Sequence, residues 1–223
     1  MVRAMIRRLI LVSAAVTLFA GAPVFAATVS VSVTGTDGHP AADAVVELTS
    51  ASASASAEQG TKVPAEAIVD QRKEAFIPLV TIVRKGGHVI FTNNDTTMHQ
   101  VYSFSEIKQF EFEIDQGHHS DPVVFNRPGV AAIGCNIHDQ MITYVYVAAT
   151  PWVGRTGEDG KVSIADVPQG SYVANFWHPR LAPGQAPPAI PLTVAGDSAK
   201  LTAAISLLAG DPHGKKRMHM QMY

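Results

Sequence analysis

The chain has 223 residues, 47% of them hydrophobic and 16% charged, which is enough apolar material for a sizeable core and too little charge for a disordered tail. Its single cysteine excludes an intramolecular disulfide, a zinc site of several thiolates and a dinuclear copper site with two bridging thiolates. A formal net charge of −2 offers no basic surface for nucleic acid.

At the N-terminus, Arg3, Arg7 and Arg8 precede an apolar run from Leu9 to Ala20, and Val24 and Ala26 stand at the −3 and −1 positions of a signal-peptidase site. Residues 1–26 are therefore expected to be an export signal cut after Ala26, which predicts a periplasmic protein. The alternative, an uncleaved anchor, needs about 20 consecutive apolar residues, more than this run supplies. Loss of the three arginines leaves 14 basic against 19 acidic residues, a net charge of −5. Such an acidic body suits a basic protein partner, with no nucleic acid and no membrane span after cleavage.

The rest of the chain has the period of two that marks half-buried strands. In residues 27–50, Val29, Val31 and Val33 alternate with Ser30, Ser32 and Thr34, and an Asp37-Gly38 turn follows. Residues 51–61, an Ala-Ser repeat running into Glu58-Gln59-Gly60, read as a linker or long surface loop. Residues 62–149 carry strand-like runs at Phe76 to Val83, Val89 to Thr92, Val101 to Phe104, Phe110 to Ile114, Val130 to Ile133 and Ile142 to Val147. Turn signals such as Lys85-Gly86-Gly87, Asn93-Asn94-Asp95 and Arg127-Pro128-Gly129 separate them. A seam at Ala149-Thr150-Pro151 opens residues 150–208, with strands at Tyr172 to Trp177 and Leu201 to Leu207 and a Leu181 to Pro191 stretch too rich in proline for a central strand. Residues 209–223 read as a flexible tail. The predicted class is all-β, of sandwich type.

The chemistry concentrates in Gly134 to Ile142, where Cys135, His138 and Met141 recur at spacings of three directly after a strand. Taken singly, a cysteine or a methionine here would be ordinary core. Together, a thiolate, an imidazole and a thioether are the soft and borderline donors that suit copper in both oxidation states. A second imidazole would complete a trigonal plane and leave the methionine as a weak axial donor. His99, 36 residues before the cysteine and just after a turn, is the strongest candidate for it.

These two stretches, Val83 to Val101 and Arg127 to Met141, resemble the cupredoxins, the small blue-copper proteins with a Greek-key β-sandwich. The resemblance rests on an Asn93-x-Asp95-x-x-x-His99-x-Val101 context and a Cys135-His138-Met141 loop of amicyanin-type spacing, shorter than that of plastocyanin. It spans roughly residues 63–148. It implies one type 1 copper per chain, held by His99, Cys135 and His138 in the plane and Met141 on the axis, with His138 as the exposed edge for electron exit. Gln100 departs from the pattern, because cupredoxins commonly carry asparagine there to steady the ligand loops. The segments on either side resemble the two halves of a transthyretin-type, carboxypeptidase-regulatory-like sandwich, so that the copper domain is inserted in, or flanked by, that accessory module. The whole arrangement is similar to exported methylamine utilisation proteins.

Other histidines carry less. His118 and His119 are expected in a solvated loop, His88 at an exposed turn, and His178 at a strand end where it caps or pairs. The Met218-His219-Met220 tail has the chemistry to hold Cu(I). Paired H-x-H or H-C-H arrangements for a second metal centre are absent from the sequence, as are hydrolase and phosphate-loop motifs. The expected function is single-electron transfer and not enzymatic catalysis, with a redox protein as partner, either a basic cytochrome or a dehydrogenase. The competing expectations are a copper carrier or chaperone, and a structural β-sandwich without a redox role.

Overall fold

A computed structural model describes residues 26–50, 63–182 and 188–210. The expected linker, the expected tail beyond residue 210, and all but the last residue of the export signal lie outside the described residues; Ala26 itself begins the first strand. Every regular element among the described residues is a strand. In chain order they are β1 (Ala26–Gly35), β2 (Val45–Thr49), β3 (Glu66–Gln71), β4 (Phe76–Ile77), β5 (Val80–Arg84), β6 (Gly87–Asn93), β7 (His99–Ser105) and β8 (Lys108–Ile114). There follow β9 (Val123–Phe125), β10 (Gly129–Cys135), β11 (Ile142–Ala148), β12 (Val153–Arg155), β13 (Lys161–Pro168), β14 (Gly170–Trp177), β15 (Ala189–Val194) and β16 (Ser198–Ile205). No helix among these residues is long and apolar enough to cross a membrane.

The strands form four sheets, ordered β13-β1-β16, β12-β2-β14-β15, β5-β11-β10-β7-β8 and β4-β3-β6-β9. The first two enclose one apolar core, built from residues at both ends of the chain: Val29, Val31, Val33, Val46 and Leu48 meet Ile164, Ala174, Phe176 and Ile205. Strand β1 pairs antiparallel with β13 and parallel with β16, so its alternating valines face inward while its serines stay outside. The other two sheets enclose a second core around Phe91, whose ring lies 5.8 Å from Phe110, 5.9 Å from Phe112 and 6.5 Å from Phe76. Such offset and edge-to-face contacts add to the burial energy of the rings.

Some local expectations shift. The run from Phe76 to Val83 is two strands, β4 and β5, in different sheets, because the strand is interrupted at Pro78-Leu79, where the chain passes from one layer to the other. His88 is not a turn residue: it lies in β6, opposite Glu66 of β3, and its Nε2 contacts that carboxylate at 2.9 Å. Pro191 falls in β15, an edge strand, where a missing N–H costs no ladder bond on the solvent side. Residues 66–71, without a clear alternating signal, form β3 because they add in parallel to the strongly apolar β6.

A third, smaller apolar cluster joins the two sandwiches: Val45, Leu79 and Val80 are buried against Ile82, Tyr144, Tyr146, Val153 and Trp177. Glu47 sits beside it and is buried. Its Oε1 accepts the backbone N–H groups of Ala149 (2.8 Å) and Thr150 (2.7 Å), and its Oε2 accepts the Tyr146 hydroxyl at 2.7 Å. Burial and the neighbouring carboxylate push the Tyr146 hydroxyl far above its usual pKa, which keeps it a donor. One side chain of β2 thus holds the end of β11 and the seam that follows it. Removing it leaves three donors without their acceptor, each costing about 1–3 kcal/mol when buried. Glu47→Ala is therefore expected to lower the unfolding free energy by at least about 2 kcal/mol in urea titrations followed by tryptophan fluorescence.

His178, just after β14, is buried with both ring nitrogens engaged: Nε2–H donates to the Ala42 carbonyl at 2.9 Å, and Nδ1 accepts the Arg180 N–H at 2.9 Å. That pattern needs the neutral ring. Burial lowers the His178 pKa, the Arg180 charge adds to the effect, and the Ala42 carbonyl and Asp43 oppose it without reversing it. Because the folded pKa lies below the unfolded one, the contribution is complete above about pH 6.5 and is lost as the pH falls toward the folded value. The melting temperature should accordingly drop between pH 7.5 and 5, and His178→Gln should be less stable at pH 7.5 but show a shallower drop.

Candidate metal centre

Two strand ends and one loop build the site. Strands β7 and β10 run antiparallel with Cys135 opposite Val101 and Gly134 opposite Tyr102. This register places Cys135 and His99 on the same inward face, two positions apart along β7. Gly134 permits the approach, because a Cβ there would stand 2.8 Å from the Tyr102 ring. Beyond Cys135 the chain folds back: the Met141 N–H donates to the His138 carbonyl at 2.9 Å, and the Cys135 N–H to the Met141 carbonyl at 3.3 Å. The tight loop so closed turns His138 toward the cysteine.

Cys135, His99 and His138 each offer one donor atom, and the three atoms lie within 4.8 Å of one another. From Cys135 Sγ the distances are 3.5 Å to His99 Nδ1 and 4.0 Å to His138 Nδ1. Metal–sulfur and metal–imidazole bonds of about 2.3 and 2.0 Å, at tetrahedral to trigonal angles, put sulfur and nitrogen roughly 3.5–3.7 Å apart. The His99 distance falls in that range and the His138 distance exceeds it by a few tenths of an ångström, so a small movement of the His138 ring brings the three donors around one ion. The sequence places a fourth candidate, Met141, in the same loop; it is buried in the core that also contains Cys135. His99 is fully buried, whereas 17% of the His138 side chain is exposed. The two rings lie 5.0 Å apart.

The loop before His99 is held by Asn93. Its Nδ2 donates to the carbonyls of Thr97 and Ile114, both at 2.8 Å, and its Oδ1 accepts the Asp95 N–H at 2.9 Å. Asp95 in turn reaches His99, with Oδ2 3.3 Å from Nε2. Burial opposes ionisation of Asp95, yet the N–H groups of Glu74 and Thr96 and the His99 ring hold its carboxyl below the ordinary range. Burial pushes the His99 pKa down, against the opposing pull of Asp95, so the imidazole is neutral and its Nδ1 is free to donate a lone pair.

Gln100 ties the two ligand segments together. Its carbonyl accepts the Asn136 N–H at 2.9 Å and its Oε1 accepts Asn136 Nδ2 at 2.9 Å, while its own Nε2 donates to Glu111 at 2.7 Å. The glutamine thus supplies the bracing that its departure from the family pattern put in question. His118 and His119 stay outside the cluster: their Nδ1 atoms contact the carbonyls of Gln116 and Ser120. Two residues that sequence reasoning did not single out also border the site, Glu74 and Gln140, from the β3–β4 turn and the ligand loop. Neither carries a sequence signal, because only folding brings the turn at 72–75 to the loop at 135–141.

The chain is an all-β protein of stacked sandwiches with a buried Cys-His-His cluster able to hold a metal ion. No family model and no curated protein matches its sequence. Among solved structures it is similar to amicyanin from Paracoccus versutus, with 21% identity and a TM-score of 0.34, over 46% of this chain and 97% of that one. It is also similar to a purple cupredoxin from Nitrosopumilus maritimus, with 22% identity and a TM-score of 0.33, over 37% of this chain and 99% of that one. A third is the copper-containing nitrite reductase of Thermus scotoductus, at 22% identity and a TM-score of 0.35; there the match spans 38% of this chain but only 23% of that one.

Loss of the Asn93 clamp should loosen the His99 loop without touching a donor atom. Asn93→Ala is expected to weaken binding of a metal ion at the Cys-His-His cluster roughly tenfold or more in a chelator competition, the usual scale for groups that orient a ligand.

Proposed function

We propose that this is a type 1 copper protein that carries single electrons between partner proteins outside the cytoplasm. The observation that carries the reading is the geometry of the donor set: one sulfur and two imidazole Nδ1 atoms, within 4.8 Å of one another, at the end of a β-sandwich core. Copper suits this set better than the harder divalent ions, because thiolate, imidazole and thioether donors favour it in both oxidation states. Bound there, copper supplies a one-electron couple. Cys135 would bind as thiolate, His99 and His138 through Nδ1, and Met141 as the weaker fourth donor.

The chain's contribution is rigidity and access. Strand ends, the Asn93 clamp and the Gln100 bridge hold the donors in place, so that little rearrangement accompanies a change of oxidation state. His99 is enclosed, and His138 offers the part-exposed edge by which an electron enters or leaves. A basic redox protein, a cytochrome or a dehydrogenase, fits the acidic charge of the body. The sandwich built from both chain ends, bolted through Glu47, would space or orient that docking and not take part in the chemistry.

Copper-loaded protein is expected to show an intense visible absorption that Cys135→Ala abolishes, and to keep its copper through repeated reduction and reoxidation. A colourless loaded protein, or one that gives up copper to an acceptor on reduction, would count against electron transfer and for a carrier.

A further inference from the structure

Imidazole that binds a metal through Nδ1 must carry its proton on Nε2, so each ligand histidine turns an N–H donor away from the ion. Both remote nitrogens face a carboxylate. Asp95 Oδ2 lies 3.3 Å from His99 Nε2, and Glu74 Oε1 lies 3.8 Å from His138 Nε2. The two acids are themselves connected, since the Glu74 N–H donates to Asp95 Oδ2 at 2.6 Å. Gln140 Nε2 donates to Glu74 Oε2 at 3.3 Å and so keeps that carboxylate on the His138 side.

The backbone beneath Glu74 is unusual in the same place. Arg72 and Ala75 exchange N–H···O bonds of 3.0 and 3.2 Å, which closes a two-residue hairpin between β3 and β4. Its central residues, Lys73 and Glu74, both have φ of 54°. Turns with two positive φ values strongly prefer Asn-Gly, because other side chains adopt that conformation only at a cost. Strain of this kind persists where the surroundings hold it in place, and it clusters at functional sites. Here the left-handed conformation at Glu74 coincides with its backbone N–H on Asp95 and its side chain at His138.

We propose that Glu74 is a positioning residue for the metal centre: through His138 Nε2, and together with Asp95 on His99, it favours the oxidised form of the bound ion. The proposal rests on the copper reading above. An anion at the far side of a ligand ring interacts more favourably with a doubly than with a singly charged ion, and it makes the imidazole a stronger donor. The 3.8 Å separation is longer than a hydrogen bond, so Glu74 acts on the ring as a nearby negative charge, and because its side chain is 52% exposed, solvent screens that effect to a modest size.

The test uses the full copper-loaded chain and compares wild type with Glu74→Gln, Asp95→Asn and Glu106→Gln. Glu106 is an exposed acid paired with Arg127 and serves as a control for loss of one negative charge. Glu74→Gln is expected to keep the visible band and to weaken Cu(II) binding about threefold relative to Cu(I), which for a one-electron couple raises the midpoint potential by about 28 mV. Asp95→Asn should move the potential in the same direction, and Glu106→Gln should leave it unchanged. A blue Glu74→Gln protein with the wild-type potential and Cu(II) affinity overturns the role of Glu74 while leaving the copper centre intact, as does a shift equalled by Glu106→Gln. A wild type that takes up copper without the band overturns the copper reading, and this inference with it.

Discussion

The antiparallel register between β7 and β10 decides where His99 and Cys135 lie relative to each other, and with them the start of the loop that carries His138. With Cys135 opposite Val101, the inward residues of the two strands form one surface: His99, Val101 and Ser103 from β7, and Ala131, Ile133 and Cys135 from β10. A slip of one residue would turn the thiol outward and leave His99 alone in the core. The register is secured by the apolar side chains it buries and by Gly134, whose missing Cβ leaves space for the Tyr102 ring. Core packing and metal geometry are thus one constraint, and the ligands inherit their precision from the sandwich.

Around that register the polar groups form concentric support. Asn93 and Gln100 bind backbone and so fix where the histidine strand begins and how the cysteine loop leaves it. Asp95 and Glu74 face the rings themselves. Asn93 is buried with its amide hydrogen bonds satisfied, which is what makes a polar group in this core tolerable. His99 is enclosed while His138 is partly open, and this asymmetry between the two imidazoles gives the site a direction.

The second sandwich is joined to the first by a buried apolar cluster and by Glu47, with three acceptor contacts around one carboxyl group. A flexible tether would expose those groups to water and lose both contributions. The joint therefore carries any surface on the outer sandwich in a fixed relation to the metal site, through strand β11, which runs from the ligand loop to the Glu47 contact.

Much of this was legible in the linear chain. Strand periodicity depends on side-chain alternation alone, so the all-β class and the valines of β1 could be read directly, and the spacing of Cys135, His138 and Met141 is local chemistry on one short loop. His99 could be singled out because a turn followed by a strand start is also a local pattern. What the sequence could not show depends on contacts between distant segments. Glu47 looks like an outward residue of a Val-Val-Glu-Leu strand until β11 and the seam close over it, and His88 looks like turn until β3 pairs beside it. Glu74 sits in an Arg-Lys-Glu-Ala run with no turn signal, and its place beside His138 exists only because the β3–β4 hairpin and the ligand loop meet at one end of the sandwich. Sequence by itself singled out the candidate donors, since a thiol, imidazole and thioether spacing is local chemistry; tertiary structure decided which groups support them and which ring faces solvent, since that is set by the packing of sheets far apart in the chain.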